Sequence, residues 1–347
     1  MKTYAFPGII EPEILEIGAE QIPYMRTTEF SEINKNSEKL LLEMIGAPAG
    51  SRTIIYTGSG TGAMDAVVSG YVSTKKKAFI IDGGSFGHRW GELCRYYTLP
   101  HEVFSVEFGK DIDYESMEKA LDRSGADVFL CQHHETSSGA LYDLERIGKI
   151  CRERGVVLIA DVISSFLAEP LSMQKVLIDI AITSSQKGLN IPPGLSILFL
   201  SPEIVGHRFA ARSYYFDFAN NLGNLSRGQT PFSPATTIYL QLNRRLQQLT
   251  EEGIEHHIAR TADRSAYFKA LCKEHGWPIP AEHPSAAITG FRVRRNGDRI
   301  CRALIEEKQI YIMPSAHPGF FRVSHMGVQS REELLELSRY IQEIEAR

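Results

Sequence analysis

The 347-residue sequence has no two cysteines close enough to form a CxxC unit. Its five cysteines stand at 94, 131, 151, 272 and 301, and an odd number at wide spacing argues against a disulfide framework and for reduced thiols in the cytoplasm. Long apolar runs are missing too. The longest are strand-sized, too short to span a bilayer, and the opening residues 1–8 lack the apolar stretch of a secretory signal. No HExxH spacing exists for zinc, and the neighbouring His133 and His134 would point to opposite faces of a strand. Charge is nearly balanced: 38 Lys and Arg against 42 Asp and Glu leave −4, which gives no electrostatic reason to bind nucleic acid or an anionic membrane. Repeats and low-complexity segments are absent. What remains is an ordinary soluble composition, long enough for one large domain and a smaller one.

The texture that is present is regular. Short β-branched runs at 53–57, 78–82, 103–106, 128–132, 156–161, 178–183 and 196–200 read as strands. Several are apolar without alternation, as happens when helices cover both faces of a sheet. Segments 62–72, 88–97, 116–124 and 144–154 suit helices, and the alternation predicts an α/β fold with a largely parallel sheet. After Pro234 come long polar helices at 235–252 and 256–275, then a smaller α+β segment with helices at 297–308 and 330–347. The chain therefore divides into an N-terminal arm (1–20), a large domain (21–250) and a small C-terminal domain (251–347).

Four features carry chemistry, and each falls just past or within a strand. The first is TGSGTGAM at 57–64, between a strand and a helix. Its glycines permit a tight turn, and free amides at a helix N-terminus attract phosphate. The same letters also fit a dinucleotide fingerprint, with Asp82 at the end of the next strand. The second is Asp161, a carboxylate closing an apolar strand. It could hold a cationic ring nitrogen, or it could cap a helix or a loop. The third is Lys187 in TSSQKGL at 183–189, a lysine among small polar residues at a strand end. Burial would lower its pKa and free its amine for Schiff-base chemistry, although an isolated loop lysine is ordinarily a surface residue. Asp161 and the glycine loop change that balance, because phosphate seat, ring-nitrogen partner and amine are the three contacts that pyridoxal phosphate needs. The fourth is Arg322, whose guanidinium could grip a carboxylate in a two-point fork; alone, a strand arginine is more often at the surface.

Taken in order, these segments resemble the class V aminotransferases of fold type I, in the alanine–glyoxylate and serine–pyruvate branch. MRTTEF at 25–30 looks like the group's HRxxEF, with Met25 in place of histidine. GGSFGHRW at 83–90, HETSSG at 134–139 and DVISS at 161–165 resemble NGxFGxRW, HxETSTG and DAVSS. SQKGLNIPPG at 185–194 matches the most specific pattern, SQKxLxxPPG, and FRVSHMG at 321–327 resembles FRIGxMG. One departure lies in the arm, which lines the substrate pocket in relatives and often reads GPGP there; here it is FPGII at 6–10.

The resemblance implies a fold type I large domain with a mainly parallel seven-stranded sheet, a small C-terminal α+β domain, and pyridoxal 5'-phosphate as cofactor. It assigns Ser59, Gly60, Thr61 and Gln186 to the phosphate, Phe86 and Ile163 to the two ring faces, and Thr136 to the ring hydroxyl. Asp161 would hold the ring nitrogen, Lys187 the Schiff base and the shuttled proton, and Arg322 the substrate carboxylate. It also implies a homodimer with shared active sites, with Thr230 as the residue taken from the neighbouring subunit. The implied reaction moves an amino group from an alanine- or serine-type amino acid to pyruvate or glyoxylate. Alternatives are 2-aminoethylphosphonate–pyruvate transamination and, more remotely, an NAD-dependent dehydrogenase built on the Gly58–Ala63 loop.

Overall fold

The computed structural model describes residues 1–210 and 212–347. Seven strands build the central sheet: β1 (Arg52–Thr57), β2 (Ala78–Asp82), β3 (His101–Ser105), β4 (Val128–Gln132), β5 (Val157–Asp161), β6 (Ile180–Ser184) and β7 (Leu195–Leu200). They lie in the order β1-β7-β6-β5-β4-β2-β3. β7 is antiparallel to both of its neighbours, and every other pairing is parallel. Since β1 and β6 both run against β7, β1 points the same way as the parallel set. The carboxyl ends of all strands but β7 therefore open on one rim.

The unbroken apolar strands have the cause inferred from sequence, because both faces are covered. Phe129 and Cys131 of β4 enter one core with α1 (Thr28–Met44), α4 (Tyr114–Ser124), α5 (Leu144–Glu153) and α6 (Thr236–Glu252). Val128 and Leu130 enter the opposite core with α2 (Gly60–Gly70) and α3 (Ser85–Tyr96). Asp113 and Asp143 accept hydrogen bonds from the Ser116 and Arg146 amides and so cap α4 and α5. A cap of this kind contributes about 1 kcal/mol.

A third core gathers α7 (Ile254–His275), β8 (Ile288–Arg292), α8 (Gly297–Lys308), β10 (Phe320–Ser324) and α9 (Arg331–Ala346), with the short strand β9 (Met313–Pro314) beside β10. Its antiparallel sheet has the order β8-β10-β9. Phe268, Phe291, Phe321, Leu337 and Ile341 fill it, and Tyr4 from the far end of the chain joins them. The strand Lys2–Thr3 pairs in parallel with Ile310–Tyr311. α6 and α7 meet at Gly253, whose φ of +87° suits a residue without a side chain.

Candidate active site

The rim of strand ends collects the chemistry. β6 ends at Ser184, and the turn that follows is tied by the Ser185 hydroxyl, which accepts from the Leu195 amide at 3.1 Å, and by the Lys187 carbonyl, which accepts from the Asn190 amide at 2.9 Å. This turn carries Lys187 into the interior, where it is 8% exposed. Burial pushes its amine down to about 7, and the Arg322 charge adds to the effect while Asp161 opposes it. Asp161, closing β5, is pushed up to about 7 by burial, against a hydrogen bond of 2.8 Å from the Ile163 amide and the charge of Lys187. The two groups thus act on each other across a dry site, each favouring the other's charged form.

The lysine value sets a pH dependence. A neutral amine is the nucleophile, so its reactivity rises with pH around the folded pKa. In the cofactor-free protein, attack by Lys187 on an amine-directed acylating reagent should reach half its maximum near pH 7. Peptide-resolved labelling across pH checks this, and a rate still climbing through about pH 10, as for an ordinary lysine, would contradict it.

The glycine loop forms the N-terminus of α2. Ser59 is its N-cap residue and its side chain makes no capping bond; the Gly62 amide donates to the Ser59 carbonyl at 2.8 Å, which leaves the Gly60 and Thr61 amides for an anion. Gly60 packs closely on Ile163: a Cβ there would stand 2.6 Å from Ile163 Cδ1, so that side chain would have to move. Thr61 accepts a hydrogen bond of 3.0 Å from Arg89, whose guanidinium lies 5.1 Å over the Phe86 ring. Gln186 is half-buried, and its side-chain oxygen is shielded from solvent with no hydrogen-bond partner. The Ser184 hydroxyl is likewise buried and unpartnered.

Arg322 arrives from β10. Its guanidinium donates to the Thr136 carbonyl at 3.1 Å and to the Pro314 carbonyl at 2.6 Å, while its Nε is buried without a partner. It lines a cleft of about 320 Å³ together with Phe86, Phe108, Ser137 and His317. Thr136 in turn shares a hydrogen bond with Ser164. Lys187, Asp161, Thr136, Ile163, Gly60 and Arg322 are thereby linked through contacts or mutual charge effects, and Thr61 and Phe86 through Arg89. Thr230 makes no hydrogen bond to Lys187, Asp161 or the glycine loop: its carbonyl accepts from Arg26 at 2.5 Å, its hydroxyl donates to the Phe232 carbonyl at 2.7 Å, and it lines a small cavity with Tyr56 and Thr57.

Sequence reasoning passed over Glu135 and Arg89 and weighed His134 only as a zinc ligand, although all three lie in segments that it quoted. Glu135 is fully buried, and its carboxylate accepts from the Gly87 amide at 3.0 Å, the Phe86 amide at 3.4 Å and the Ser137 amide at 3.1 Å. It thus caps α3 from outside and fixes the helix that carries Phe86 and Arg89. Both ring nitrogens of His134 are buried without partners, and burial, helped by the Lys187 charge, holds its pKa well below the usual range, so the ring is neutral. Replacing Glu135 by alanine should orphan these amides at about 1–3 kcal/mol for each buried group. Differential scanning calorimetry should show the unfolding midpoint lowered by several degrees, at roughly 2 °C per kcal/mol for a chain of this size. An unchanged midpoint would show that Glu135 does not fix α3.

The sequence profile of the class V aminotransferases matches residues 22–208. The chain belongs to that family, whose members are pyridoxal-phosphate-dependent aminotransferases. A solved aspartate aminotransferase of subgroup IV from Thermus thermophilus superposes with a TM-score of 0.90 at 26% identity, over 99% of this chain and 98% of that one. An uncharacterized aminotransferase of Methanocaldococcus jannaschii is 27% identical over 342 residues, 95% of this chain and 88% of its own. A 2-aminoethylphosphonate–pyruvate transaminase of Pseudomonas aeruginosa is 29% identical over 230 residues, 65% of this chain and 62% of its own. The dinucleotide alternative is not sustained. Asp82, which it needed for a ribose, faces His88 Nδ1 at 3.0 Å instead.

The side chains suit the family's cofactor. An uncapped helix N-terminus with unpartnered Ser184 and Gln186 oxygens nearby suits a phosphate. A buried carboxylate suits a protonated ring nitrogen, and a buried amine suits an aldehyde carbon.

Proposed function

We propose that this enzyme moves an amino group between an alanine- or serine-type amino acid and a small 2-oxo acid, pyruvate or glyoxylate, with Lys187 as the residue that bonds the cofactor. The observation that carries this reading is the buried Lys187, held near neutrality beside Asp161 and Arg322. When bound, pyridoxal phosphate supplies an electron sink that lets the α-carbon proton of an amino acid leave. The protein does the rest. Ser59, Gly60, Thr61 and Gln186 hold the phosphate, and Phe86 and Ile163 confine the ring between them. Thr136 meets the ring hydroxyl, and Asp161 keeps the ring nitrogen protonated. Arg322 would anchor the substrate carboxylate in the cleft, and the Lys187 amine would take the α-carbon proton and return it. Thr230 completes the phosphate seat of the other subunit in a homodimer. No described helix is long and apolar enough to cross a membrane, and all five cysteines are free, which fits a cytoplasmic enzyme.

The Pseudomonas relative keeps 2-aminoethylphosphonate in view as the donor. That amine has no α-carboxylate for Arg322 to grip. Steady-state rates with alanine, serine and 2-aminoethylphosphonate against pyruvate and glyoxylate separate the two readings. The carboxylated donors should lead in kcat/KM by at least about ten-fold, and the reverse order would overturn the donor class.

A further inference from the structure

Residues 314–319, PSAHPG, lead from β9 into β10 and border the cleft of about 320 Å³ that Arg322 lines. Arg322 donates to the Pro314 carbonyl at 2.6 Å, and the Phe320 amide donates to the His317 carbonyl at 3.1 Å. Between these ties the His317 amide donates to the Ser315 hydroxyl oxygen at 3.2 Å. The His317 ring rests against Phe108 of the large domain, with centroids 4.1 Å apart, and Phe108 in turn meets Phe320 edge-on at 5.3 Å. The imidazole is therefore held in place at the cleft. Its two nitrogens nevertheless make no hydrogen bond among the described residues.

The other polar groups of the cleft sort into engaged and free. The Ser137 hydroxyl donates to Glu135 and accepts from the Ser85 amide at 3.1 Å, so it is occupied. Ser315 has accepted from His317 and keeps its own O–H, and the Ser85 hydroxyl has no partner among the described residues. Arg322 is the one fixed charge in the lining. A donor held there by its α-carboxylate thus extends its side chain among a neutral-or-cationic ring and two hydroxyls. A second carboxylate would find no second guanidinium or ammonium to pair with. A methyl group would give the imidazole no partner, whereas a hydroxyl both donates and accepts. We propose that His317 is a specificity-determining residue that selects a β-hydroxyl donor, serine over alanine, by hydrogen bonding to its side chain. The proposal rests on the reading that Arg322 binds the donor carboxylate in this cleft.

The test uses the holoenzyme and two amines that differ by one hydroxyl, α-methyl-L-serine and 2-aminoisobutyrate. Both lack the α-carbon proton and so bind without transamination. The change in the cofactor's visible absorbance gives their dissociation constants. The wild type should bind α-methyl-L-serine the more tightly, by about five-fold, the worth of one neutral hydrogen bond. His317→Phe keeps a ring against Phe108 but has no nitrogen, and should bring the two constants to within about two-fold of each other. His317 is exposed, so this variant should fold. His317→Gln, which carries a donor and an acceptor, should restore part of the preference. A wild type without the preference, or a phenylalanine variant that keeps it, overturns the role of His317 alone. A glutamine variant no more selective than the phenylalanine one overturns hydrogen bonding as its cause. A wild-type band that responds to neither amine overturns the reading of the donor site on which the proposal rests.

Discussion

Replacing Lys187 by alanine should lower transamination by at least about a thousand-fold while leaving the protein folded. Two losses combine in that figure. The amine that bonds the cofactor and is displaced by substrate disappears, and so does the base that moves the α-carbon proton, a contribution typically worth about 10²–10⁴. The site makes this lysine hard to replace from elsewhere. His134, which feels the Lys187 charge, is held well below the usual imidazole range by burial and is a weak base, and both its ring nitrogens are buried without partners. Folding should survive, because burying Lys187 is unfavourable in itself: desolvation is what drives its pKa down to about 7. Single-turnover measurement with alanine, beside circular dichroism of the same sample, checks both halves. Wild-type rates in a folded Lys187→Ala protein would remove the lysine from the mechanism.

Asp161→Asn should separate activity from stability. Asparagine keeps an oxygen to accept the 2.8 Å bond from the Ile163 amide, yet carries no charge with which to hold a proton on a ring nitrogen. Activity should fall by about 10²–10³, since a neutral ring is a poor electron sink. The cofactor-free protein should not lose stability. Asp161 is buried, its pKa is raised to about 7, and a raised carboxylate pKa means that ionisation disfavours the folded state as pH climbs from about 4 towards 7. Asparagine has no such penalty, so at pH 7 the unfolding midpoint of the variant should equal or exceed that of the parent. A variant that is both fully active and less stable would contradict the assignment on both counts.

Much of the fold was legible because its cause is local. β4, β6 and β7 are wholly buried and mostly apolar, so their runs stand out from the surrounding helices. The edge strand β3 was placed two residues late, because His101 and Glu102 are half-exposed and polar and do not read as interior. α4 starts at Tyr114 and not at 116, since the capping Asp113 reaches forward to the Ser116 amide. At the site, Asp161 could be read because it closes an apolar strand, and Lys187 because it lies just beyond another. Glu135 could not, because its partners, the Phe86 and Gly87 amides, stand 49 and 48 residues away along the chain. Phe6 is a similar case. The arm was recognised as unusual, but the contact of the Phe6 ring with the Lys187 amine, 3.4 Å from the ring centroid, joins residues far apart along the chain.

The claim that Lys187 bonds the cofactor can be tested by chemical trapping. The holoenzyme should show a visible absorbance band that borohydride bleaches, and peptide mapping after reduction should find the cofactor's mass on Lys187. A label on another lysine, or a protein whose spectrum is unchanged by pyridoxal phosphate and by borohydride, would contradict the account.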